Sequence, residues 1–420
     1  RFRAAAPSAR AVPIHSKDGA RAAVPRRVDD LLAQTGDYDH VAVFITHEAL
    51  MSLDLSGFHG WHARVDEPPN AVTCGTVNLS QSVTAFQNHF DLVQFGSGWS
   101  QLRPQINVNW KQISADSMWS SLIDFRKLAQ RPDGVLVEVD DWSDVSRGNF
   151  QWFSLWTPIK LSSFHSITIA GAGFLSSIGY KVMQSTYRDE LEFVVTPLGS
   201  ARSAQPQIRI NYFTSGHRGS TTFWSKSEGR KCLVAIGDWM ARHVPELAYW
   251  SGNDVVQHSF EHRIAGQMTA PKLAGLNRFR EARSCACFYS GKAVPEDKTL
   301  QAVFELTEGE IETAREGEDI FQFVMRGALR DPHYGHGYDI YLYDIVQAER
   351  LRDMLVANGF SNVEMAGVSD AGIMSGGREQ NRRPRPQTAA DKAARAQQKR
   401  AGNARNNRAW RARKRASKSS

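Results

Sequence analysis

Two adjacent acids are the residues of this chain best placed for chemistry. In "WHARVDEPPNAV" (residues 61–72), Asp66 and Glu67 close an alternating apolar run and are followed at once by Pro68 and Pro69. An Asp at a strand end can hold Mg²⁺ through the ion's water shell, and a neighbouring Glu can orient and deprotonate an attacking water. The prolines deny the following residues ladder hydrogen bonds and a helical start, so the strand is expected to stop where the acids are. Read alone, the same dipeptide also fits a merely solvated strand end.

A second set lies in "QFVMRGALR" (residues 322–330), where Gln322, Arg326 and Arg330 recur every fourth residue. On a helix these would form one polar stripe about 80° wide. Planar guanidiniums suit a phosphoryl group whose charge grows during transfer, although a solvated helix face carries the same pattern. A third candidate is "SITIAGAGF" (residues 166–174), a strand followed by Gly171-x-Gly173, which looks like a dinucleotide-binding turn. Ser176 stands where that turn needs its third glycine, and no strand-terminal acid follows about 20 residues on.

Other chemistries find little support. Cys74, Cys232, Cys285 and Cys287 include no CxxC pair, and the CxC of "SCACFYS" puts both thiols on one side of a strand, as buried reduced cysteines. His59 and His62 lie three apart, but no further ligand completes a zinc set at the usual spacing. No stretch approaches the roughly 18 uninterrupted apolar residues of a membrane helix, and "RFRAAAPSARAVPIHSKD" lacks a signal's apolar segment. The expectation is a cytoplasmic protein with no membrane partner.

The elements that must position these groups are short. Strand-like runs rich in β-branched residues recur: "HVAVFIT", "SITIAGA", "IRINYF", "KCLVAIG", "SCACFYS", "DIYLYD" and "NVEMAGV". Helix-like stretches such as "VPRRVDDLLAQ", "WSSLIDFRKLAQ", "DIFQFVMRGAL" and "DIVQAERLRDMLVANGF" fall between several of them. The alternation implies an α/β protein with parallel sheets covered on both faces. "TPLGSARSAQPQ" (residues 196–207) interrupts it and is taken as the link between two domains, 1–200 and 201–371. Residues 80–156 carry six tryptophans (Trp99, Trp110, Trp119, Trp142, Trp152 and Trp156) and few clear strands; we expect a mixed helical insertion spanning about 80–160, its tryptophans mostly buried.

In order along the chain, "FITHEAL", "VDEPP", "TIAGAG", "GLN" (residues 275–277) and "QFVMRGALR" resemble the motif series of superfamily 2 helicases, the DEAD/DEAH-like ATP-driven nucleic-acid motors, and their plasmid- and phage-type members in particular. The resemblance covers roughly residues 14–368. It implies two RecA-like domains, ATP and Mg²⁺ as cofactors, and nucleic acid, DNA more than RNA, as partner. It also implies roles. Asp66 would hold Mg²⁺ and Glu67 would activate water; Thr46 would touch the nucleic-acid backbone; Gly275 and Asn277 would approach both ligands; Gln322 would face the nucleotide, with Arg326 or Arg330 as arginine finger. Arg330 lies eight residues after Gln322, where the family commonly has seven. His62 and Arg64 sit in a strand that should be almost wholly apolar, which points to an unusually exposed strand.

The largest departure is the phosphate-cradling loop GxxxxGK[ST]. The only Gly-Lys dipeptide is Gly291-Lys292, followed by Ala293, and Ala286 stands where the first glycine should be. Since the sequence begins at Arg1, we expect N-terminal truncation, and a chain without the loop is expected to turn over no ATP.

Charge is divided along the sequence. Residues 378–420 hold 15 Lys/Arg against 2 Asp/Glu, or +13, so the body carries 7 − 13 = −6 of the net +7. This segment, within the tail 372–420, is expected to be disordered or a solvent-exposed basic helix when free. Arg405, Arg408, Arg411 and Arg413 would contact phosphates and Trp410 would stack on a base.

Overall fold

A computed structural model of the chain describes residues 9–15, 23–37, 40–67, 69, 71–79, 83–96, 98–105, 123–131, 134–171, 173–196, 202–271, 278–292, 297–304 and 306–375. Two parallel pairs open the fold. β1 (Arg10–Ile14) pairs with β2 (Val41–Ile45), and β3 (His62–Asp66) pairs with a strand that arrives a hundred residues later. Between them run β4 (Val72–Asn78), β5 (Phe90–Gly96), β6 (Trp99–Pro104), β7 (Val135–Glu138) and β8 (Asn149–Leu155), an antiparallel sheet in the order β4-β8-β7-β6-β5. β9 (Ser166–Ala170) then returns to lie beside β3, with Asp66 opposite Ala170.

The Trp-rich segment is therefore mainly a sheet, against the helical expectation. The reason is visible in β7 and β8. Val135, Val137 and Phe150 pack into a core on one face, while Leu136, Phe153 and Leu155 pack into another core on the opposite face. A strand buried on both sides has no polar alternation to betray it. Trp142 and Trp156 are buried and Trp99 and Trp152 half-buried, as expected of large apolar rings; Trp110 and Trp119 lie outside the described residues.

Six parallel strands build the C-terminal region: β10 (Gln207–Thr214), β11 (Tyr249–Gly252), β12 (Gln267–Met268), β13 (Ser284–Phe288), β14 (Gly337–Asp344) and β15 (Val363–Gly367), in the order β12-β11-β13-β14-β10-β15. Their side chains divide by period two. Ile208, Ile210, Cys285, Cys287, Ile340 and Leu342 face the helices Glu318–Val324 and Ile345–Ala357. Phe213, Ala286, Phe288, Tyr341 and Tyr343 face Ser227–His243 and Asp254–Phe260. The chain is thus α/β with parallel sheets, and Cys285 and Cys287 share one buried face as their spacing requires.

"KCLVAIG" is a second correction. It lies inside the helix Ser227–His243, whose buried Leu233, Ile236, Gly237 and Met240 recur at three and four residues. Over 17 residues the helical period outweighs a local β-branched run. The stop after the helix Ile345–Ala357 is as expected: Asn358 caps it, and Gly359 adopts a left-handed φ of 86°. Among the described residues no helix is long and apolar enough to cross a membrane.

Candidate functional site

Asp66 and Glu67 stand where the spacing put them, at the carboxyl end of β3, and both are exposed. Ala63 and Val65 point into a core shared with Ile14, Leu31, Leu50 and Trp156, whereas His62, Arg64 and Asp66 point to solvent. One face of this parallel pair is therefore uncovered, which accounts for the polar residues in β3. On that face His62 Nδ1 meets Ser166 Oγ at 2.7 Å, and Arg64 Nη1 donates to the same oxygen at 2.9 Å. The Glu67 N–H donates to the Ala170 carbonyl at 2.7 Å, adding one rung beyond the strand. There the chain turns sharply: Glu67 has φ 64°, a left-handed conformation that costs a non-glycine residue about 1 kcal/mol or more. Pro69 is buried behind the turn, and Pro68 is outside the described residues.

β9 leads into the glycine turn. Gly173 has φ 69° and opens the short 3-10 segment Phe174–Ser176, after which the Ser177 hydroxyl caps the helix Ile178–Thr186 by accepting from the Tyr180 N–H at 3.1 Å. The space in front of this turn is taken by Glu318, a residue of the C-terminal region. An ideal Cβ placed on Gly173 would lie 2.3 Å from Glu318 Oε2.

Glu318 begins the helix that carries Gln322, and Gln322 Nε2 donates to Glu318 Oε1 at 2.9 Å. The helix ends at Val324, so the expected continuous stripe through Arg326 and Arg330 does not form. Gly327 lies just past the break, where a Cβ would fall 2.1 Å from the Tyr338 hydroxyl, so the close approach of backbone to ring needs a glycine. Arg326 lies in the turn, half-buried, and Arg330 is the exposed end of a 3-10 segment whose Ala328 and Leu329 are buried. The polar stripe that exists is Glu318–Gln322.

Electrostatics tie this segment to the first region. Burial lowers the pKa of Arg326, while Tyr249 and Glu67 raise it and Arg330 lowers it. Burial raises the pKa of Glu318; Gln322 opposes this, and Asp319 and Glu67 add to it. Glu67 is thus close enough to act on both groups across the seam. Two buried polar atoms here, Arg326 Nε and Glu318 Oε2, have no protein partner. A guanidinium nitrogen without a protein partner is a donor that suits a phosphate oxygen. Among the described residues no group of three or more His, Cys, Asp or Glu side chains is placed to hold a metal ion.

The seam is closed below by an apolar contact. Leu136, Phe153, Leu155 and Val182 pack against Leu300, Phe304, Leu306 and Ile311. Beside them the buried Asp297 accepts from Arg315 Nη1 at 2.6 Å and from the Cys74 thiol at 3.9 Å, and Lys181 pairs with Glu310. Sequence reasoning also missed a buried ionic cluster at the carboxyl ends of β10 and β14. Arg218 forms a double hydrogen bond to Glu312, Arg350 bridges Glu312 and Glu316, and Asp344 accepts from the N–H groups of Gly219 and Gln347. These ionic contacts tie the loop at Arg218 to the helices at Glu312 and Arg350.

The remaining assignments divide. The Thr46 hydroxyl accepts from the Ala49 N–H at 3.3 Å and caps the helix His47–Ser52, leaving the residue exposed. Gly275, Asn277, Arg405, Arg408, Trp410, Arg411 and Arg413 lie outside the described residues.

No protein-family model and no curated protein matches the chain. Among solved structures it is similar to apo XPD, at 9% identity and a TM-score of 0.42 over 86% of this chain and 91% of that one. It is also similar to Xpd4 of S. tokodaii, at 11% identity and a TM-score of 0.41 over 87% and 92% of the two chains.

Proposed function

We propose that the protein is the greater part of an ATP-dependent nucleic-acid helicase or translocase of superfamily 2 type, plasmid- or phage-like and acting on nucleic acid, DNA more than RNA. Its two RecA-like domains would span 1–200 and 201–371, followed by the basic tail 372–420. One observation carries the reading: Glu67, the Gly173 turn and the Gln322–Arg326 segment, remote in sequence, converge across a single seam.

Bound at that seam, Mg-ATP supplies a phosphoryl group whose transfer to water releases the energy for movement. Asp66 holds the cation. Glu67 takes a proton from the attacking water at its carboxylate, and its exposure at a strand end leaves that water room. Arg326, or Arg330 beside it, meets charge as it gathers on the phosphoryl oxygens. Gln322, Gly275 and Asn277 line the nucleotide side. Thr46 and the tail residues Arg405, Arg408, Trp410, Arg411 and Arg413 hold the nucleic acid.

The reading requires a phosphate loop encoded upstream of Arg1. Sequencing the gene upstream tests this, since an in-frame GxxxxGK[ST] about 30 to 60 residues before Ile14 is the expected finding. With that segment present, single-stranded DNA is expected to stimulate ATP turnover, and Glu67→Gln to abolish turnover while nucleic-acid binding persists. Normal turnover in that variant would remove Glu67 from the reaction. The lack of GxxxxGK[ST] in the present sequence favours one alternative, a non-catalytic replication accessory protein that binds nucleic acid on the same fold. An upstream frame without the loop, together with salt-sensitive DNA binding and no turnover, would select it.

A further inference from the structure

Glu318 plays no part in the reaction proposed above, yet three separate features meet at its carboxyl group. It is the first residue of the helix Glu318–Val324 and directly follows a π-helical turn, Thr313–Gly317, an irregularity that frequently marks functional segments. Its Oε1 accepts the Gln322 amide, one turn further along. Its Oε2 is buried without a partner, against the turn at Gly173 in the other region. Gly173 is doubly required there, because φ 69° is left-handed and a Cβ would collide with the carboxyl.

We propose that Glu318 is a positioning residue of the candidate ATP site: seated in the Gly173 turn and bonded to Gln322, its carboxyl group sets how the Gln322–Arg326 segment meets Glu67. The purpose of this placement rests on the ATP-site reading; the coupling itself does not. A side chain that reaches the glycine turn of one region while fixing an amide of the other transmits a shift of either to its partner. Burial raises the pKa of this carboxyl, and the nearby charges of Asp319 and Glu67 add to the rise.

Amide hydrogen exchange on the full chain tests the coupling without nucleotide. Peptides covering 168–177 and 318–330 report the two sides of the seam. Glu318→Ala is expected to speed exchange in both by about tenfold or more, with β10 and β14 unchanged. Glu318→Gln, which keeps the shape and an acceptor for Gln322, is expected to restore protection, and the shorter Glu318→Asp is not. If 168–177 exchanges as in the wild type in Glu318→Ala, or if Glu318→Gln behaves like Glu318→Ala, the positioning role is overturned. Should Glu318→Ala unfold the C-terminal region, Gly173→Ala replaces it. That variant pushes on the carboxyl from the opposite side, and must loosen 318–330 or sink the proposal. Exchange coupling in a protein that hydrolyses no ATP even with an upstream phosphate loop present would keep the positioning role and discard the ATP reading.

Discussion

Phe153 of β8 stands edge-on to Phe304 at the end of the helix Asp297–Phe304, with ring centroids 5.3 Å apart and planes at 79°. Both rings are buried, and the contact joins the antiparallel sheet to the C-terminal region. Edge-to-face pairs add about 0.5–1.5 kcal/mol to the area they bury. Phe304→Ala is expected to cost about 3–5 kcal/mol in chemical denaturation, most of it from the cavity. A double-mutant cycle with Phe153→Leu is expected to return a coupling in the edge-to-face range. A coupling near zero would mean that the two regions meet elsewhere.

Glu67 combines a strained backbone with an exposed carboxylate, and the two can be separated by substitution. With φ 64°, Glu67→Gly relieves the left-handed conformation and is expected to leave stability unchanged or raise it by about 1 kcal/mol. Glu67→Val, branched at Cβ, is expected to lower it by about 1–2 kcal/mol. Thermal melting of the three proteins checks the order Gly ≥ Glu > Val. Strain retained where a carboxylate is displayed fits a residue kept for its chemistry; a valine variant as stable as wild type would show that the turn holds no strain.

How far these features could be read beforehand depended on what covers each element. The strand end at Asp66-Glu67 was legible because the double proline and the half-exposed alternation of β3 are local signals. The glycine turn was legible as a turn, since a strand and a helix flank it. The antiparallel sheet was not, because both faces of β7 and β8 are buried and its pattern reads as unbroken apolar sequence. The approach of Gly327 to Tyr338, just past the break after Val324, is a tertiary contact that no local period reveals. Glu318 carried one sequence signal, its spacing of four from Gln322. What gives it meaning, the approach to Gly173, is a long-range contact.

The Lys181–Glu310 ion pair gives a pH signature. Glu310 is held down to about 2, first by the Lys181 hydrogen bond and then by the Thr307 backbone and side chain of its own capping box. A carboxyl depressed in the folded state contributes stability that is complete above its unfolded value of about 4.5 and is lost as pH falls through about 2. Both side chains are partly exposed, and solvent screening holds the pair's share to about 1 kcal/mol or less. Lys181→Ala is expected to raise the Glu310 pKa and to flatten the stability profile between pH 5 and 2. Chemical denaturation across that window measures it, and profiles that stay parallel in the two proteins would remove the pair from the balance.

The basic tail is the last separable part. Residues 378–420 carry 15 cations and 2 acids, against a net −6 for the rest, so the chain's cationic excess lies in this segment. Each phosphate neutralised on a single strand contributes about −0.7 to the slope of log affinity against log salt. If the tail engages about six phosphates, deleting residues 377–420 should make the slope less steep by about 4 and cut affinity most at low salt. Trp410→Ala alone is expected to cost about 1–3 kcal/mol without changing the slope, since stacking releases no counterions. Fluorescence anisotropy with a single-stranded oligonucleotide between about 50 and 200 mM salt separates the two effects. An unchanged slope in the deleted protein would move the nucleic-acid contact to the body, where Thr46 and the uncovered face of β3, with His62 and Arg64, are the next surfaces to vary.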